Sequence, residues 1–111
     1  MNSLKLLVVL AASVGVHDAD SPEPWLVEAS DKPLLVCWSA DWCHYCQRDK
    51  PTIRQIRRDG QFDVLELDYD ENRELAKKYK VDKLPTYFII EAGRLVYRTN
   101  NLDNIFNYKR N

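Results

Sequence analysis

The sequence has no surplus of charge of either sign. Its 16 Lys and Arg residues stand against 17 Asp and Glu, so the basic footprint of a dedicated nucleic-acid binder is missing. It is also poor in metal ligands, with three cysteines and two histidines. A structural zinc site needs four ligands. The chain offers one Cys-x-x-Cys at Cys43 and Cys46, a lone Cys37, and His44 inside the motif, where it cannot easily turn onto the same metal. His17 falls in a leader-like segment. There is no internal repeat and no low-complexity tract, so repeat architectures are set aside. Nor is there an apolar run that spans a bilayer comfortably: Leu6 to Val16 has only the length of a signal-peptide core. At 111 residues the chain is one domain.

What is present centres on Ala40-Asp41-Trp42-Cys43-His44-Tyr45-Cys46-Gln47. Before it, Leu34 to Ser39 is a short apolar run suited to a buried central strand. After it, Cys46, Ile53 and Ile56 recur at helical spacing. Two cysteines three apart at the start of a helix lie on one side of its first turn, and can pass between dithiol and disulfide with little backbone movement. Cys43 then faces unpaired N–H groups and the positive end of the helix dipole, which favour a thiolate. Cys46, one turn in, is more buried and stays protonated longer. One sulfur attacks and the other resolves.

The rest of the chain reads in order. Residues 1–19 form a signal peptide, with small residues at Ser13, Gly15 and Ala19 as cleavage sites. The alternative makes Lys5 to Leu10 an extra first strand. Ser21 or Asp20 can cap a short helix packed down by Trp25, Leu26 and Ala29. Pro51 kinks the helix after the motif and Asp59-Gly60 ends it. Phe62 to Asp68 is a half-buried strand, and Glu71 to Tyr79 a short helix with Leu75, Ala76 and Tyr79 inward. Tyr87 to Ile90 is a strand preceded by Pro85. Gly93 turns a hairpin into Leu95 to Thr99. Asn101 to Tyr108 is a last helix with Leu102, Ile105 and Phe106 on one stripe. A right-handed crossover makes the first two strands parallel.

That order, with Ala-Asp-Trp-Cys-His-Tyr-Cys at the first strand-to-helix turn, resembles the thioredoxin family from about Pro33 to the C-terminus. Pro51 lies five residues after Cys46, where the family carries its helix-kinking proline. Leu84-Pro85-Thr86 is similar to its cis-proline turn, and Ala92-Gly93 to its hairpin. The resemblance implies an α/β thioredoxin fold, a central mixed sheet in β-α-β-α-β-β-α order flanked by helices, over residues 20–111. It implies that Pro85 packs against the disulfide and that Leu84 offers backbone hydrogen bonds to an extended substrate.

The departures from the family pattern carry expectations of their own. Aligned back from Cys43, the family's buried aspartate falls at Cys37, and a nearby lysine falls at Glu66. Glu66 is then either a proton relay for Cys46, a carboxylate of raised pKa in a dry site, or an edge-facing solvated acid. Cys37 is read as a small buried hydrophobe in preference to a third redox group. His44-Tyr45 replaces Gly-Pro. A protonated His44 stabilises the Cys43 thiolate and makes the disulfide more oxidising, unless it points to solvent. Trp42 joins an apolar rim that receives partner proteins, and Tyr45 stacks on that rim or stands exposed.

The expected function is therefore a thiol-disulfide oxidoreductase, a thioredoxin-like reductase that works through Cys43 and Cys46 without a prosthetic group. Its expected partners are protein dithiols and disulfides and an electron donor such as a thioredoxin reductase or membrane thiol reductase. It is expected to be a monomer that binds no nucleic acid. With a cleaved leader it is periplasmic or secreted; with residues 1–19 retained it is cytoplasmic. Two other readings stand beside this one: a disulfide donor or isomerase, and a non-catalytic module that holds a partner on the same rim. A glutathione-dependent glutaredoxin fits less well, because Asp41 and Trp42 resemble thioredoxins more closely.

Overall fold

The computed structural model describes residues 23–26 and 31–108. The leader, its alternative first strand and the caps at Asp20 and Ser21 lie outside them. Four strands form one sheet: β1 (Leu34–Ser39), β2 (Asp63–Asp68), β3 (Thr86–Glu91) and β4 (Arg94–Thr99), in the order β2-β1-β3-β4. β1 pairs parallel with β2 and antiparallel with β3, and β3 pairs antiparallel with β4. The helices are α1 (His44–Asp59), α2 (Arg73–Lys78) and α3 (Asp103–Phe106), with a 3₁₀ turn at Pro24–Leu26.

Strand periodicity sorts the core onto two faces, because successive side chains point to opposite sides of a sheet. Val36, Trp38, Phe88 and Ile90 pack with Trp25, Leu67, Ala76 and Val81, under α2 and the 3₁₀ turn. Leu35, Cys37, Tyr87 and Ile89 pack with Ile53, Ile56, Leu102 and Ile105, under α1 and α3. β1 is covered on both faces, which is why it reads as an unbroken apolar run. Trp25, 5% exposed, stacks edge-on against Tyr79 and Phe88. Glu23 extends that anchor by accepting hydrogen bonds from Lys78 Nζ and the Tyr79 hydroxyl, each at 2.7 Å. The Lys78 bond holds its carboxyl below the usual range, and the Tyr79 bond adds to this while partial burial works against it.

Two helices are shorter than the sequence suggests. The second starts at Arg73 because Glu71 N–H and Asn72 N–H close turns onto Asp68 and Tyr69. It stops at Tyr79 because Lys80 takes a left-handed φ of 56°. The last is a single turn, and it changes one assignment: Leu102 and Ile105 face the sheet, whereas Phe106 is 57% exposed. The β3–β4 hairpin has two central residues of positive φ, Ala92 at 54° as well as Gly93 at 77°. This is the pattern of a twist-matched two-residue turn. Gly60 closes α1 at φ 77°.

Candidate active site

The parallel strands β1 and β2 end at the same edge of the sheet, and the loops leaving them meet there. Tyr69 N–H donates to Ser39 O at 2.7 Å, tying the two loops together. Cys43 sits at the N-cap of α1 with extended φ and ψ of −90° and 107°, and its Sγ accepts the Cys46 N–H at 3.1 Å. An N-cap acceptor normally satisfies an orphan helix donor through oxygen; here sulfur takes that place. Cys43 and Cys46 are disulfide-bonded, with Cα atoms 5.2 Å apart, inside the usual span for a disulfide. Cys43 N–H and the Gln47 side-chain amide both donate to Ala40 O at 3.0 Å, which fixes the approach to the helix.

Ala40, Cys43 and Cys46 form a small cluster of their own, against which Tyr69 and Leu84 pack. Cys43 is 6% exposed and Cys46 2%. The Leu84–Pro85 peptide is cis, and Asn100 braces the turn by donating to Pro85 O at 3.0 Å and to Thr86 Oγ1 at 2.9 Å. Trp42 is 64% exposed, yet oriented. Its indole N–H donates to Asp70 at 2.8 Å and its ring meets Tyr69 edge-on at 6.4 Å. Tyr45 is 56% exposed and carries the Arg48 guanidinium over its ring at 4.7 Å. His44 is exposed and packs edge-on against Tyr45 at 5.7 Å.

Strand register lines up Glu66, Cys37 and Tyr87 in one row across β2, β1 and β3, all toward α1. The helix answers each polar end of that row. Tyr87, 1% exposed, donates its hydroxyl to Asp49 Oδ2 at 2.7 Å. Glu66 lies beside Lys50 Nζ at 3.5 Å and Arg57 at 3.3 Å, on a side chain 36% exposed. It is thus an ion-paired surface carboxylate, the solvated alternative, and its polar contacts go to α1 cations; the dry, relay-type setting is not where the fold puts it. Cys37, between the two, is 1% exposed and is the free cysteine among the described residues. Burial pushes its thiol well up, and the Glu66 carboxylate adds to that. Burial likewise pushes up the Tyr87 hydroxyl, followed by its bond to Asp49.

The structure therefore brings Cys43, Cys46 and Leu84 together, with Pro85 next to Leu84 in the cis turn and Trp42, His44 and Tyr45 exposed beside the cysteines. It sets Cys37 and Glu66 in the sheet row that faces α1. Sequence reasoning missed Asp49, Tyr69, Asp70 and Asn100. Asp70 and Tyr69 had a usable signal: residues just after the second parallel strand converge with those after the first. Asp49 follows Cys46 by three and so shares its helix face, but nothing local marks Tyr87 as its partner. No group of three or more acidic, His or Cys side chains suited to a metal occurs among the described residues.

A model of the thioredoxin family matches residues 21–106. A thioredoxin of Streptomyces clavuligerus is 35% identical over 68 residues, covering 60% of this chain and 64% of that protein. A bifunctional thioredoxin reductase/thioredoxin of Mycobacterium leprae is 35% identical over 74 residues, covering 65% of this chain and 16% of that protein. The chain thus spans less than two thirds of either relative. Among solved structures, a mutant thioredoxin from Halobacterium salinarum superposes with a TM-score of 0.64 at 29% identity, covering 68% of this chain and 70% of that one.

Proposed function

Because this chain belongs to the thioredoxin family, with that family's mixed sheet and a Cys-x-x-Cys pair at disulfide distance, we propose that it is a protein-disulfide oxidoreductase working as a thioredoxin-like reductase. The observation that carries the reading is Cys43 at the N-cap of α1, its sulfur already accepting the Cys46 N–H. In the dithiol form that N–H and the helix dipole stabilise negative charge on Cys43.

The Cys43 thiolate attacks one sulfur of a substrate disulfide. The substrate S–S bond breaks, its second sulfur leaves as a thiolate and takes a proton from solvent, and a mixed disulfide joins Cys43 to the substrate. Cys46 then loses its proton and attacks the Cys43 sulfur, forming the Cys43–Cys46 bond and releasing the remaining substrate thiolate. Two electrons have passed from the dithiol to the substrate. Leu84 and Pro85 shape the groove for an extended substrate, and Trp42, held by Asp70, forms the rim. A thioredoxin reductase or a membrane thiol reductase returns the two electrons. The working place is outside the cytoplasm if residues 1–19 are cleaved.

The test is reduction of a protein disulfide with dithiothreitol as the electron source. Wild type accelerates it, Cys43→Ser does not, and Cys46→Ser accumulates a mixed disulfide on Cys43. A Cys43→Ser, Cys46→Ser double variant that keeps the biological function would instead support a non-catalytic module. Direction is read from the equilibrium potential in a glutathione buffer. A value near thioredoxin's roughly −270 mV means a reductant, and one climbing toward the roughly −120 mV of DsbA means a disulfide donor.

A further inference from the structure

Beside the cysteines lies an open cleft of about 500 Å³ between α2 and the loop that follows it, lined by Tyr69, Arg73, Lys77, Lys80, Val81 and Asp82 among others. Tyr69 belongs to both places. It forms one wall of the cleft, and it packs against Ala40, Cys43 and Cys46 and meets the Trp42 ring edge-on. The cleft therefore shares one side chain, Tyr69, with the cysteine cluster and with the Trp42 rim.

Its charge is out of keeping with the whole chain, which has a net charge of −1. The lining holds three cations, Arg73, Lys77 and Lys80, against one acid, Asp82. Arg73 is bridged to Asp70 at 3.1 Å, with its guanidinium over the Tyr69 ring at 5.3 Å. Asp70 is further occupied by the Trp42 indole, and Asp68 by the Asp70 N–H. Asp68 and Asp70 are thus taken up by internal bonds, and Asp82 is the acid of the lining itself, set against Lys77 and Lys80. Lys77 and Lys80 are exposed and have no ion-pair partner within 4.0 Å among the described residues. Lys83, also exposed, stands one residue before Leu84, which packs on the cysteine cluster. Uncompensated cations beside a reactive centre raise the local concentration of anionic partners and steer their approach.

We propose that this cleft is a docking site for an acidic segment of the substrate protein, lying next to the substrate's disulfide and seated between Lys77 and Lys80 while the cysteines react. The proposal rests on the oxidoreductase reading and adds a substrate class to it: disulfides flanked by aspartate or glutamate. Exchange at Cys43 is unchanged in chemistry; the cleft acts on the encounter and on residence.

The test uses the full chain in its dithiol form and three synthetic peptides. They share one disulfide and differ only in a flanking run of glutamate, glutamine or lysine, built on either side of the cysteines. The readout is the second-order rate constant for disulfide reduction, expressed for each protein relative to its own rate on the glutamine peptide. At low ionic strength the glutamate peptide should react roughly 3- to 10-fold faster than the glutamine one, the scale of one or two exposed ion pairs, and the lysine peptide more slowly. The preference should close at about 0.5 M salt, where screening acts over a few ångströms. It should disappear or reverse in a Lys77→Glu, Lys80→Glu variant. Equal rates on all three peptides, or a glutamate preference that survives in the variant, overturn the docking proposal and leave the oxidoreductase reading standing. A chain that reduces none of the peptides overturns that reading, and the docking proposal falls with it.

Discussion

Replacing Tyr87 by phenylalanine removes one oxygen from beneath α1 and tests the geometry there. The hydroxyl is on a residue 1% exposed and donates to Asp49 Oδ2 at 2.7 Å. A hydrogen bond to a charged group is worth about 1.5–3 kcal/mol net. Asp49 keeps a side-chain exposure of 16% and has Arg48 Nε at 3.8 Å, so water and a neighbouring cation recover part of the loss. The expected destabilisation of Tyr87→Phe at neutral pH is therefore about 1–2 kcal/mol. The sign of its pH dependence follows from the raised pKa. Burial and the Asp49 bond hold the hydroxyl above its ordinary 10.0. Above that value the unfolded chain ionises Tyr87 while the folded one does not, so the tyrosine's contribution falls by about 1.4 kcal/mol per pH unit. The unfolded hydroxyl is only about half ionised at the start of that range, so the variant's deficit should narrow by about 1 kcal/mol between about pH 10 and pH 11. The assay is urea unfolding of both chains in a Cys37→Ala background, which stops a freed thiol from exchanging into the disulfide. A deficit below about 0.3 kcal/mol at neutral pH, or one that stays constant to pH 11, refutes the argument.

Three further outcomes follow from the same structure. Cys37 should resist a thiol reagent in the folded, oxidised chain and react once it unfolds. Its raised pKa should make stability fall from about pH 9 upward, measurable as a flatter alkaline limb in Cys37→Ala. Glu66→Gln should change stability by less than about 1 kcal/mol and leave the pH profile of disulfide exchange in place, since the carboxylate is a surface ion pair; a large rate loss with a shifted profile would restore its role as a proton relay. Gly60→Ala should cost about 1 kcal/mol through backbone conformation alone, because φ is 77° and an added Cβ meets nothing within 4 Å; thermal unfolding checks it, with Gly60→Asn expected to lose less.

How far the sequence carried the reading depends on the range of the interactions involved. The redox turn was legible because everything that makes it is local: an apolar strand, two cysteines three apart, and a helix whose first turn carries its own unpaired N–H groups. The observed β1 and the inward stripe Cys46, Ile53 and Ile56 of α1 follow directly from periodicity. The hairpin at Ala92-Gly93 and the stop at Gly60 follow from backbone chemistry, although Ala92 in a left-handed conformation does not. Phe106 was misjudged for a related reason: a four-residue helix is too short for a stripe to decide which side faces the sheet.

What only the tertiary structure decided are the partners brought in from afar. Asp70 meets Trp42 across 28 positions and Tyr87 meets Asp49 across 38. The row of Glu66, Cys37 and Tyr87 exists because three strands pair in one register. Whether Glu66 faced a dry interior or water depended on Lys50 and Arg57, one helix above it, and helical spacing alone does not say which strand residue those cations overlie. Side-chain periodicity assigns a residue to a face; which charges share that face is set by strand register and by where the helix crosses the sheet.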